Sequence, residues 1–99
     1  METIVLKDSI AGYRLRKPLT LTVLRDDSGI ICLENPELEL YGCGSSMEEA
    51  MKQLEMVLHV LIEEYARGED SLMHEKALAL KYKLLEYFEI PQDIQVQRV

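Results

Sequence analysis

At 99 residues the chain makes one domain, in the size range where small domains often gain stability by associating. An apolar fraction of 47 % with few Pro-, Ser- or Gln-rich runs excludes a disordered chain. The formal charge of -7 is unevenly placed: residues 28–70 hold ten Asp/Glu against two Lys/Arg, which disfavours direct nucleic-acid contact there and favours a basic partner.

Thr3 to Lys7 is β-branched and apolar, short enough for an edge strand or an arm, and a turn is expected at Ala11-Gly12. Tyr13 to Lys17 alternates apolar with basic residues and ends at Pro18, which discourages helix for the residue before it. Leu19, Leu21 and Val23 then alternate with Thr20, Thr22 and Leu24, the period of a strand with one buried face. Asp26-Asp27-Ser28-Gly29 has turn composition and joins this strand to Ile30-Ile31-Cys32-Leu33 as an antiparallel hairpin. Pro36 removes a ladder donor, so a bend is expected at Asn35-Pro36, followed by a short third strand with Leu38 and Leu40 inward and Glu37 and Glu39 outward. Gly42 and Gly44 are then expected to turn the chain into a helix.

That helix, Ser45 to Gly68, is the element around which the rest is arranged. Ser46 is placed to cap it while Glu49 reaches back to the cap amide, and Glu48 and Glu49 suit the positive end of the helix dipole. Met47, Ala50, Met51, Leu54, Leu58, Leu61 and Tyr65 recur at steps of three and four and predict one buried face. Arg67 and Gly68 close it. A second helix is predicted from about Leu72 to Phe88, capped by Asp70 or Ser71. Its seam of Met73, Ala77, Leu80, Leu84 and Tyr87 has heptad-like spacing and is the candidate oligomer interface, unless the two helices pair within one chain. Pro91 to Val99 either adds a strand or trails. The expected fold class is α+β. It has a small antiparallel sheet of three to four strands covered by one long amphipathic helix, with residues 71–99 a helical C-terminal extension of a single domain, 1–99.

No recognisable catalytic constellation is present. The acids could be imagined as a metal-dependent nuclease site, yet outward faces give no converging pair. His59 and His74 are isolated, Cys32 and Cys43 lack zinc-like spacing, and the lone Gly42-x-Gly44 lacks the Lys and Ser/Thr of a phosphate loop, so no metal, cofactor or catalytic residue is assigned. Met1-Glu2-Thr3 opens without a leader and no apolar run approaches the roughly 20 residues of a membrane span, so a cytoplasmic protein with no membrane partner is expected. In that reducing compartment the two cysteines are expected to remain thiols.

From Asp27 to Arg67 the order and spacing of several pieces resembles the HicB-like antitoxin family. The matching residues are Asp27-Ser28-Gly29, Pro36-Glu37-Leu38, Tyr41-Gly42-Cys43-Gly44-Ser45-Ser46 and Glu48-Glu49-Ala50, ahead of the long amphipathic helix. Two departures stand out: Glu39-Leu40-Tyr41 intervenes before the Gly-Cys pair, and Ser45-Ser46 replaces the family's Asp-Thr, with the capping chemistry preserved. Many members carry a DNA-binding segment after this core, whereas residues 71–99 contain no basic reading helix. The resemblance implies a β-β-β-α core that binds and masks a small basic RNA-cleaving toxin. Glu37, Glu39, Glu48, Glu55, Glu63 and Glu64 are the candidate partner-binding residues, although carboxylates in these positions equally suit a solvated face. The alternative is a stand-alone homo-oligomeric structural or assembly domain, a dimer or larger, that keeps the fold without a toxin partner.

Overall fold

The computed structural model describes residues 1–90. Strands β1 (Glu2–Leu6), β4 (Leu19–Arg25), β5 (Ile31–Asn35) and β6 (Leu40–Gly44) form one antiparallel sheet in the order β1-β4-β5-β6. A smaller sheet, order β2-β3-β7, joins the hairpin β2 (Ser9–Ile10) and β3 (Tyr13–Leu15) to β7 (Phe88–Glu89). Helix α1 (Met47–Leu61) covers the inner face of the main sheet, and α2 (Glu75–Tyr87) packs on the turn that continues α1 and leads directly into β7. The fold is α+β, as the alternation of strand-period and helix-period segments predicts.

The alternation in β4 sends Leu19, Leu21 and Val23 into the core, while Thr20, Thr22 and Leu24 face outward. Register carries this alternation across the sheet. Leu19 faces Leu6 and Leu21 faces Ile4 on β1, so the N-terminal run is an edge strand. Leu33 and Leu40 complete the inner face and meet Ala50, Leu54 and Leu58 of α1, all buried. Gly42 explains how closely the helix lies: a Cβ built there would stand 2.4 Å from the Leu54 amide nitrogen and 2.6 Å from the Ala50 carbonyl oxygen. Gly42 and Gly44 are therefore strand residues that admit the helix backbone, rather than the expected turn into it.

The third strand starts later than expected. Asn35 caps a 3-10 turn, Pro36–Leu38, by accepting the Leu38 amide proton on Oδ1 at 3.0 Å, and its Nδ2 donates to the Thr20 carbonyl at 3.0 Å. Asn35 is the buried polar side chain of this core, satisfied on both ends of its amide. Glu39, at φ 58, then redirects the chain into β6.

Ser46 caps α1 as predicted, with its Oγ accepting the Glu49 amide at 3.1 Å. Glu49 reaches one residue further than expected, its carboxylate accepting from the Ser45 amide at 2.7 Å and the Ser45 hydroxyl at 2.9 Å. These bonds hold the Glu49 carboxyl below its ordinary pKa. The helix then widens: Ile62–Ala66 forms a π turn, with the Arg67 amide donating to the Ile62 carbonyl at 3.0 Å. Core residues run Ala50, Leu54, Leu58, Ile62, Ala66 in steps of four, and Leu61 and Tyr65, expected on the stripe, are only half-buried.

The second helix begins three residues later than predicted, at Glu75, with His74 before it. Asp70–Leu72 is a separate 3-10 turn, and Asp70 binds α2 from the side instead of capping it: its carboxylate accepts from Lys81 Nζ at 2.5 Å and from the Tyr82 hydroxyl. Phe88 is extended and pairs with Leu15, which ends α2 at Tyr87. The expectations for Pro91 to Val99 lie outside the described residues.

Candidate functional site

The six candidate glutamates do not form one surface. Glu37 and Glu39 sit at the corner between β5 and β6, on an open groove shared with Lys76, Ala79, Leu80 and Lys83 of α2. Two lysines beside two carboxylates make this corner charge-balanced rather than acidic. Glu37 is also engaged within the chain, accepting the Tyr87 hydroxyl at 3.1 Å. Burial, then this bond to Glu37, raise the Tyr87 pKa above its ordinary value. Lys17 lies 4.3 Å from the Tyr87 ring centroid and pairs with Glu86 at 2.7 Å, so the corner doubles as a clasp between the N-terminal segment and α2.

Glu48, Glu55 and Glu63 belong to the outer side of α1 and its π turn. Glu48 is exposed in the first turn, Glu55 follows one heptad later, and Glu63 pairs with Arg67 at 3.1 Å. Glu64 is exposed further round. Beside Glu55 lies an open groove of about 540 Å³ lined by Ala11, Lys52, Glu55, Met56, His59 and Val60. Met56 and Val60, off the predicted stripe, are 62 % and 55 % exposed, and their apolar surface is the floor of this groove. Its wall is the β2–β3 hairpin tip, where Ala11 and Gly12 both take positive φ (55 and 84) and turn the chain toward α1. The Tyr13 hydroxyl and His59 Nδ1, 2.8 Å apart, fix the hairpin to the helix. Partial burial, with Glu63 adding to it, raises the Tyr13 pKa. The hairpin's part in the groove was missed from sequence. Ala11-Gly12 gave the turn but nothing in the spacing says which helix it leans on.

The candidate oligomer seam is largely spent inside the chain. Leu80 and Leu84 are buried in the common core, and Met73, Ala77 and Tyr87 are half-buried beside it. The apolar second helix is thus half of an intramolecular pairing with the π turn and β7. What remains open is the outer face of the main sheet. There Val5, Leu24 and Tyr41 are 49 %, 44 % and 54 % exposed, with Thr3, Thr20 and Thr22 between them.

The same outer face holds a disulfide between Cys32 and Cys43, which corrects the expectation of two free thiols. The two residues are opposite each other in the β5–β6 register, with Cα atoms 4.1 Å apart, the close spacing of a non-hydrogen-bonded antiparallel pair. Sequence spacing could not reveal this, because the register depends on where the Pro36 turn ends and β6 begins.

Among the described residues no group of three or more His, Cys, Asp or Glu is placed to hold a metal ion, and no helix is long and apolar enough to cross a membrane. His59 is bonded to Tyr13, and His74 is exposed ahead of α2. The groove beside Glu55 has an apolar floor of Met56 and Val60 with the charged groups Lys52 and Glu55 at its margin. Comparison with protein-family models, with curated proteins and with solved structures finds no match to this chain.

Proposed function

We propose that this chain is a non-catalytic, cytoplasmic protein-binding module that works as a type II antitoxin does, covering the RNA-binding surface of a small basic RNA-cleaving protein. The observation that carries this reading is the outer side of α1, where exposed Met56 and Val60 form an apolar floor beside Glu55, with Glu48 a heptad away. The sequence resemblance over residues 27–67 agrees with it. Carboxylates at the margin of an apolar patch speed encounter with a cationic surface and compete with RNA for it, while the apolar centre holds the complex. Within the six candidate acids, Glu48 and Glu55 are taken forward because Glu55, with Lys52, lines the groove floored by the exposed Met56 and Val60 and Glu48 lies a heptad from it, whereas Glu37 and Glu39 line a groove with Lys76 and Lys83 and Glu37 is bonded to Tyr87.

The test is an affinity pull-down of the tagged chain from its own source lysate at low and high salt. Recovery of one small basic protein that cleaves RNA, lost at high salt and lost when Glu48 and Glu55 are reversed to Lys, supports the reading. Recovery of the untagged chain alone contradicts it and favours the second reading, a homo-oligomeric assembly domain. That alternative is supported by the open sheet face with Val5, Leu24 and Tyr41 rather than by the seam of α2.

A further inference from the structure

We propose that Cys32 and Cys43 are a reversible dithiol–disulfide site that exchanges with low-molecular-weight thiols while the fold stays intact. Three features of its placement carry this. First, the bond is not what brings its strands together: β5 and β6 are paired along Ile31–Asn35 and Leu40–Gly44, and the core beneath them is closed by Leu33, Leu40 and α1 on the opposite face. Both cysteines sit on the outer face, half-buried, so opening the bond removes no core contact.

Second, one sulfur is open to in-line attack and the other is not. Thiol–disulfide exchange requires the incoming thiolate to approach along the S–S axis, opposite the departing sulfur. β6 is the edge of the sheet, so the approach to Cys43 comes over an edge on which no further strand is paired, between its exposed outer-face neighbours Tyr41 and Ser45. The approach to Cys32 comes from the β4 side, where its cross-strand neighbour is Leu24.

Third, the Tyr41 hydroxyl stands 3.8 Å from Cys32 Sγ. A hydroxyl there donates to the thiolate that Cys32 becomes when the bond breaks, and a stabilised thiolate is the better leaving group. The exchange therefore runs in two balanced steps. A thiolate RS⁻ attacks Cys43 Sγ, the S–S electron pair leaves on Cys32, and Cys43 holds the mixed disulfide with R. A second RS⁻ attacks the R sulfur, RSSR departs, and Cys43 leaves as a thiolate. The two cysteine thiolates take two protons from the pair of RSH consumed, so that disulfide plus two RSH gives dithiol plus RSSR. Tyr41 is a positioning residue in this scheme.

The test uses the full chain, oxidised, without denaturant, in glutathione buffers of graded reduced-to-oxidised ratio. Adducts are counted by intact mass after alkylation, and far-UV circular dichroism is followed in parallel. The expected result is interconversion between chains with no adducts and chains with two, a constant spectrum, and return to the unadducted monomer on reoxidation. The reduced chain is expected to bind one phenylarsine oxide, a probe of adjacent thiols, and C32S and C43S each to abolish this. Tyr41→Phe is expected to slow thiol release about threefold to tenfold with an unchanged spectrum, the effect of one hydrogen bond on the leaving thiolate. Thiols that react only after urea, a spectrum lost together with the disulfide, or a reduced chain that takes up no arsenical would each overturn the site, and an unchanged rate in Tyr41→Phe would overturn the role given to Tyr41.

Discussion

Replacing Gly42 by Ala tests the contact that fixes helix to sheet. Gly42 has no positive φ, so alanine is compatible with its backbone and the cost arises from contact alone. The added methyl would lie 2.4 Å from Leu54 N, 2.6 Å from Ala50 O and 2.8 Å from Leu54 Cα, where ordinary contact begins at 3.4 Å. All three are backbone atoms and no side chain can rotate away, so α1 must lift by about 1 Å, a gap that forfeits a quarter to a half of the dispersion energy across it. Overpacking of this kind costs about 1–3 kcal/mol and sometimes more. With Ala50, Leu54 and Leu58 all losing contact with the sheet, a cost near the top of that range is expected, offset by roughly 0.5 kcal/mol from the stiffer unfolded chain. Urea denaturation followed at the helix circular-dichroism band should place Gly42→Ala about 2–3 kcal/mol below the parent with an unchanged slope, and a thermal scan should show a midpoint lower by about 10–20 °C. A variant within about 0.5 kcal/mol of the parent would refute the close approach of α1 to β6.

Leu84→Ala should cost about 2–5 kcal/mol by leaving a cavity among Leu80, Phe88 and the π turn. Its unfolding midpoint should show the same concentration dependence as the parent's, measured by denaturation at two protein concentrations, because Leu84 is spent within the chain. Reducing the disulfide, which joins residues 11 apart, should lower stability by at most about 2.8 kcal/mol on the loop-closure relation, a loss that a domain with about 5–15 kcal/mol can absorb; urea midpoints with and without dithiothreitol measure it. Asp70 is held below its ordinary pKa by hydrogen bonds from Lys81 and then Tyr82. Its contribution to stability is therefore complete above the ordinary carboxylate range and is lost as pH falls through the lowered value, so Asp70→Asn should flatten the acid limb of a urea-midpoint-against-pH curve while leaving its shape near neutrality unchanged. Gly29→Ala meets no atom within 4 Å but has φ +93, and should cost about 1–2 kcal/mol from backbone strain alone, measurable on the same urea curves.

The elements that sequence reads well are those governed by local periodicity. Thr20, Thr22, Leu19, Leu21 and Val23 declare a half-buried strand, and Ser46 with Glu49 marks the start of α1 within one residue. What it reads poorly depends on partners distant in the chain. Ile62 continues the four-residue steps of Ala50, Leu54 and Leu58 with its amide still bonded to the Leu58 carbonyl, and Ala66 follows it into the core across a π turn that no local residue type announces. Gly42 and Gly44 look like a loop until a helix is laid across them. The Cys32–Cys43 pairing follows from a register set by the Asn35-capped turn between the strands. For the candidate surface, charge counting finds acidic residues but not their neighbours. Lys76 and Lys83 lie some forty residues from Glu37 and Glu39 in sequence yet share their groove, which moves the weight of the proposal to the outer side of α1.

RNA cleavage in the presence of this chain tests the central claim most directly. The small basic protein recovered by the low-salt pull-down is to be freed in high salt, desalted and assayed on a labelled RNA, with the purified chain titrated back. Cleavage should fall to background near one chain per molecule of the basic protein, and an excess of the variant with Glu48 and Glu55 both changed to Lys should be needed for the same effect. Cleavage that continues undiminished at saturating chain, or suppression that is indifferent to those charge reversals, would contradict the account of this protein as an acidic mask over an RNA-cleaving partner.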